Sequence, residues 1–257
     1  GLDKSLLQQY FTYLINLLQG ELGYSFRYRT PVADRIWLLL PNTLILTFSS
    51  LIVAYAFGIF AGAFLAWKRG SRTEAAALPV VLATRAMPEF WLGMVLLAIF
   101  SFSLGWFPAG GTRSAGTHYE SLWQLYTSAN FLSHLALPML TLAIYSQGLP
   151  LLLMRSNMLD VMNEDFVTMA RIKGLSPYAV VIRHGARNAM LPVMTSFAIS
   201  VGYQLQGNVV VETVFSWPGL GRELVSAVSA ADYPLAQGAF LMIAVVVIIM
   251  NLVADLL

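Results

Sequence analysis

This chain of 257 residues has no cysteine and few charged residues. Without thiols it can form no disulfide, haem thioether link or thiolate metal site, although that says little about compartment. Its three histidines are scattered, with no metal-ligand spacing. There is no GxxxxGK(S/T) phosphate loop, no HExxH and no GxSxG, so nothing in the chain is equipped to hydrolyse a nucleotide. Charged residues are 11% of the total, where a soluble domain carries about a quarter. The net charge of +2 is too small, and the bases too dispersed, for nucleic acid to be a partner. What remains is apolar: 58% hydrophobic residues and a mean hydropathy of +0.68, the composition of a membrane protein.

Leu6, Leu7, Tyr10, Tyr13, Leu14, Leu17 and Leu18 recur at helical spacing, which predicts an amphipathic helix over 5–18. Residues 1–37 read as an external segment, with that helix expected to pack on the protein's own outer face. A core of membrane spans follows over 38–257. Its first span, 38–67, is entered at Pro41-Asn42-Thr43 and exceeds the roughly 20 residues needed to cross. Ala54, Gly58, Gly62 and Ala66 form a ladder that permits close helix approach, either within this subunit or at a subunit interface. Lys68, Arg69 and Arg72 end the span and place the next loop in the cytoplasm.

The second span, 78–107, carries Arg85 and Glu89 four residues apart across Pro88. Ions are costly at membrane depth, so a self-satisfied pair on one helix face is expected, with a pathway role as the alternative. The third span, 132–159, is interrupted by Pro138 and by Gln147-Gly148-Leu149-Pro150, a pattern that bends helices around cavities. The fourth, 189–211, contains Tyr203, Gln204, Gln206 and Asn208, which should face protein or water. The fifth is 236–257. Lys68, Arg69, Arg72, Arg155, Arg171, Lys173, Arg183 and Arg187 fall in the inferred cytoplasmic loops. Only Arg113 and Arg222 fall in the external loops between spans. Lys4, Arg27, Arg29 and Arg35 of the first segment weaken that asymmetry without reversing it.

Between the third and fourth spans lies a polar stretch, 160–192, read as two short helices. The first, 161–173, opens with Asp160, Glu164 and Asp165 and closes with Arg171 and Lys173, the order that suits the helix dipole. Met162, Phe166, Met169 and Ala170 are assigned to one face. Gly174 ends it in the left-handed conformation, and Ser176-Pro177 caps and starts the second. Glu164-Asp165-Phe166-Val167, Ala170-Arg171-x-Lys173-Gly174-Leu175-Ser176 and Arg183-His184-x-x-Arg187-Asn188-Ala189-x-Leu191-Pro192 resemble the EAA loop of ABC importer permeases. The version is that of the dipeptide/oligopeptide/nickel branch. A second block, Glu212-Thr213-Val214-Phe215-Ser216-Trp217-Pro218-Gly219-Leu220-Gly221-Arg222 with a later Asp232-Tyr233-Pro234, resembles the same branch independently. So does Met87-Pro88-Glu89-Phe90-Trp91-Leu92-Gly93, in which the glutamate departs from the pattern.

The resemblance implies an all-α, polytopic permease of the type I ABC importer kind, with five spans here and a further span ahead of Gly1. The lack of a basic tail after Asp255 likewise implies a clipped C-terminus. It implies that the cytoplasmic loop 160–188 couples to an ATPase through Glu164, Asp165, Ala170, Arg171, Lys173 and Gly174. The external loop 212–235 becomes a gate-side re-entrant element, with Glu212, Phe215, Pro218, Gly219 and Gly221 as its site residues. The candidates for the pathway are Tyr145, Gln147, Tyr203, Gln204, Gln206 and Asn208, with Glu89 the weaker choice; the alternative for each is an interhelical hydrogen bond. Implied partners are a second homologous permease, two ATPase subunits, a periplasmic or surface solute-binding protein and the lipid bilayer. ATP and Mg would be bound by the ATPases, with no cofactor in this chain, which would reside in a bacterial or archaeal inner membrane. The solute stays open among dipeptides, oligopeptides, nickel chelates, oligosaccharides and opines. An ion-driven secondary carrier is the alternative, since broken helices and the Arg85/Glu89 pair would also suit it. An intramembrane enzyme and an ABC exporter fit poorly, the one for want of a convergent cluster and the other of this loop pattern.

Overall fold

The computed structural model describes residues 5–256, apart from the side chains of Pro177, Gln206, Gly207, Ala254 and Asp255. The described residues are almost wholly helical. In chain order they form α1 (Leu6–Leu18), α2 (Val32–Trp67), α3 (Arg72–Ala86), α4 (Glu89–Leu96), α5 (Leu122–Thr127), α6 (Ala129–Ser146) and α7 (Gly148–Val161). Then come α8 (Asp165–Ile172), α9 (Pro177–Ala179), α10 (Arg187–Val214), α11 (Leu220–Ser229) and α12 (Tyr233–Leu256). Wider π-helical turns extend α4 over Leu97–Ser103 and join α9 to α10 over Val180–Ala186.

Among the described residues, three helices are long and apolar enough to cross a membrane: Val32–Trp67, Ala129–Ser146 and Tyr233–Val253. The pair α3 and α4, bent by 103°, counts as a fourth when taken as one broken span. The fifth expected crossing falls on α10, whose 28 residues rise about 42 Å, long enough for the hydrocarbon core, although it is not among the helices apolar enough to cross.

Several boundaries depart from the sequence reading. α2 begins at Val32 and runs through Pro41 instead of starting there. The Asn42 carbonyl, next to that proline, accepts the Trp217 indole N–H at 3.1 Å, which ties this turn of α2 to the block that follows α10. The span expected over 78–107 is broken: Met87 and Pro88 are extended at ψ 137° and 135°, as a residue preceding proline is pushed to be. α1 begins after the Ser5 cap, as expected, yet buries no residue. Leu6 and Leu18 are 83% and 87% exposed, so the expected packing on the protein's own face does not occur.

The core centres on α2, whose most extensive contact is with α7. The small-residue ladder faces that helix within the same chain. A Cβ on Gly58 would lie 2.7 Å from Pro150 Cγ, and one on Gly62 2.9 Å from Met154 Cβ, so any larger side chain would push the helices apart. Leu51, Ala54, Met154, Met158, Val193 and Val201 close this layer, and α11 and α12 pack on the first turns of α2 through Val32, Ile36, Leu220 and Leu235.

Candidate functional site

A cavity of about 570 Å³ opens where the bent α3/α4 pair meets α6, α7 and α10. Arg85, Glu89, Tyr145, Ser146, Tyr203 and Gln204 lie on its wall, with Asn208, Ser200, Leu142 and Leu149 completing it. Five of the sequence-based pathway residues therefore converge: Glu89, Tyr145, Tyr203, Gln204 and Asn208. Gln147 does not join them. It borders a separate, mostly apolar cavity of about 240 Å³ with Val53, Ala54 and Phe57, and its amide donates to Thr84 Oγ1 at 3.2 Å. The side chain of Gln206 lies outside the described residues. Arg85 and Glu89 make no ion pair with each other, contrary to expectation. Their four-residue spacing brings charges together only on a continuous helix, and the 103° bend falls between them.

Behind the cavity, α10 is fastened to α2 by a buried polar ladder. Gln204 Nε2 donates to Ser50 Oγ at 2.7 Å, the Asn208 amide donates to Thr47 Oγ1, and Thr43 Oγ1 donates to Glu212 Oε1 at 2.7 Å. Farther along, Tyr55 Oη shares hydrogen bonds with Ser196 and Ser200 at 3.1 and 2.8 Å. Thus Gln204 and Asn208 serve both as interhelical hydrogen bonds and as cavity lining, where the sequence reading set these roles as alternatives. The partner role of Thr43, Thr47 and Ser50 escaped it, although each set is spaced three or four residues apart, along one face of its helix.

The ladder ends in a caged carboxylate. Glu212 is wholly buried. Its Oε2 accepts the Arg222 backbone N–H at 2.9 Å, while Thr43 Oγ1 accepts that of Leu220 at 2.8 Å. Gly219 and Gly221 exist to let the backbone wrap this group: a Cβ on Gly219 would collide with the carboxylate, and one on Gly221 would reach 3.0 Å from Oε2. Phe215 and Trp217 are buried beside Phe131, and the Pro218 carbonyl accepts from Asn42 Nδ2 at 2.8 Å. A second carboxylate, Asp232, ties residues 25–28 to the start of α12. Burial alone would raise its pKa, but hydrogen bonds from the Ser25 hydroxyl and the backbone N–H groups of Arg27, Phe26 and Leu235 hold it below the usual carboxylate range.

The polar hinge is built differently. α7 runs on to Val161, so the first short helix starts only at Asp165, after Glu164 as its N-cap. Val167 and Ala170 are its buried face, packed with Val180, Val161 and Met162. Phe166, Met169 and Ile172 stand 43%, 55% and 74% exposed, so of the apolar face read over Met162, Phe166, Met169 and Ala170 only Ala170 is fully buried. Gly174 at φ 77° closes the helix. Its N–H donates to Arg171 O at 2.9 Å, and that of Leu175 to Ala170 O at 3.3 Å, the paired bonds of a left-handed C-cap. Ser176 Oγ then caps the next helix by accepting from Ala179 N–H. That helix is not short, because α9, the π-helical turns and α10 form one rod over 177–214. One rod therefore carries the hinge, the cavity wall and the Glu212 cage.

A bundle of membrane-crossing helices, broken around a polar cavity and joined to an exposed hinge, is the architecture of a transport permease. Residues 54–257 match the family described as binding-protein-dependent transport system inner membrane component, and the chain belongs to that family. It is 41% identical over 268 residues to the di/tripeptide transport system permease protein DppB of Pseudomonas aeruginosa, covering 100% of this chain and 80% of the relative. To the glutathione transport system permease protein GsiC of Escherichia coli (strain K12) it is 39% identical over 257 residues, 100% of this chain and 78% of that one. Among solved structures, an inward-facing MetNI methionine ABC transporter shares the fold, with a TM-score of 0.69 at 13% identity over 86% of this chain and 93% of that chain. The protein is thus a multi-pass inner-membrane component of an ABC importer, a translocation subunit and not an enzyme. Membership in this family removes the ion-driven carrier as a reading.

Proposed function

We propose that this permease moves small peptides into the cell, and that force reaches it through the loop 160–188. The observation that carries the mechanism is the rod over 177–214, with the exposed hinge packed on one end and the gate-side block on the other. Two ATPase subunits, which bind ATP and Mg, grip α8 through Glu164, Asp165, Arg171 and Lys173 and through the outward Phe166, Met169 and Ile172. Small Ala170 and Gly174 allow close backbone approach. A second, homologous permease completes the pathway, and a periplasmic or surface binding protein delivers the solute at the loop 212–235. Movement of α8 is transmitted along the rod, so the cavity wall formed by Tyr203, Gln204 and Asn208 shifts between two states that bind solute unequally, as coupling requires. The peptide class follows the DppB and GsiC relatives, and the cell is bacterial or archaeal.

The test is uptake of a radiolabelled tripeptide by proteoliposomes holding the complete transporter and its binding protein. ATP-dependent accumulation of the peptide is expected, and accumulation of another solute class in its place would overturn the peptide assignment.

A further inference from the structure

The acidic groups with the deepest burial are all satisfied. Glu212 and Asp232 are caged by hydrogen bonds, Glu74 is paired with Arg155 and accepts the Gly70 N–H at 2.6 Å, and Glu223 is paired with Arg35 at 3.3 Å. Glu89, half-buried, and Arg85, exposed to the cavity side of this chain, differ from that set. Neither makes a hydrogen bond or ion pair among the described residues, and they are the charged side chains on the described wall of the larger cavity. A charge within a span is costly, and a straight helix would have let the two cancel. Met87 and Pro88 prevent this by turning α4 away from α3. Room is also made for the arginine, since any Cβ on Gly148 would fall 2.6 Å from Arg85 Cγ. Two opposite charges are thus held apart on one wall.

We propose that Arg85 and Glu89 read the two ends of a zwitterionic solute, Glu89 taking the free ammonium and Arg85 the free carboxylate of a short peptide. This rests on the peptide reading above. Four residues separate the two positions, so their Cα atoms lie at most about 14 Å apart, which limits the solute they can bridge to a few residues. Tyr145 and Tyr203 line the cavity with aromatic rings; Ser146 and Gln204, which bond each other at 3.5 Å, each keep a further donor or acceptor for a peptide backbone of any sequence. The cavity volume lies within the range of small-molecule sites.

The assembled transporter in nanodiscs, without nucleotide or binding protein, is titrated with radiolabelled trialanine and competed with trialanine, N-acetyl-trialanine and trialanine amide. In the wild type each cap should weaken competition roughly tenfold, the worth of one charge-assisted hydrogen bond. Glu89→Gln should erase the acetylation penalty and leave the amidation penalty, and Arg85→Gln should do the reverse. Co-elution with the partner subunits checks that each variant assembles. Should a neutral variant not assemble, Glu89→Asp and Arg85→Lys must retain the discrimination. Equal penalties in wild type and both variants, as would follow if the second permease covers these charges, overturn the proposal. So does a wild type that binds no trialanine while still importing it with its binding protein, an outcome that leaves the peptide reading intact. A transporter that imports no peptide at all defeats the peptide reading instead.

Discussion

The block over 212–235 and the hinge over 160–188 sit at opposite ends of one rod and are finished to different degrees. In the first, the polar groups are met from within the chain: Glu212 by Thr43 and Arg222, Asn42 by Pro218 and Tyr126, Asp232 by Ser25 and Arg27. The second presents outward apolar residues, Phe166, Met169 and Ile172, and a glycine whose surroundings are open. A segment that completes itself is structural in this chain. The proposed grip of a partner subunit rests on the second, which leaves both charge and apolar surface facing out.

The largest effect expected from disturbing that contrast is at the cage. Glu212→Ala removes the acceptor of the Arg222 N–H and of the Thr43 hydroxyl, and should destabilise the purified permease by about 3 kcal/mol, read as a fall in its thermal unfolding midpoint. Gly219→Ala should do nearly the same, because its methyl group enters the space of the carboxylate. At the hinge, Gly174→Val forces a β-branched residue to φ 77° at a cost on the order of 1–2 kcal/mol, confined to the end of α8. Transport should be abolished while the permease pair still assembles. Normal transport with normal stimulation of the ATPases would count against the hinge assignment.

The smallest effect concerns pH. The folded pKa of Asp232 lies below its ordinary value, so its contribution to stability is present at neutral pH and lost as pH falls through that depressed value. Unfolding midpoints taken between pH 7 and about pH 3 should therefore decline at the acid end. Asp232→Asn should flatten part of that decline; an identical slope in the variant would show that this carboxylate is not the anchor.

Much of this was legible in the sequence because hydropathy reports burial in lipid and glycine reports close approach. The spans over α2, α6 and α12 and the left-handed Gly174 were read this way. Partnership is what hydropathy does not report. Helical spacing groups Phe166 and Met169 with Ala170 on one face but does not say what that face meets; Val167 and Ala170 face the chain's own core, and the larger residues face out. Arg85 and Glu89 were read as a pair because the four-residue rule presumes an unbroken helix, and Pro88 ends that presumption. Thr43, Thr47 and Ser50 went unnoticed since each is unremarkable until α10 lies beside it.

The central claim is that α8 is held by a motor subunit. Because the chain has no cysteine, a single Arg171→Cys change gives one reactive thiol, to be cross-linked to cysteines placed along the cleft of the ATPase in membranes carrying the whole transporter. The account predicts a cross-linked permease–ATPase product in high yield that changes when ATP is bound and trapped. A thiol at 171 that reacts freely with a water-soluble maleimide in the assembled transporter, and joins no ATPase position with or without nucleotide, would contradict it.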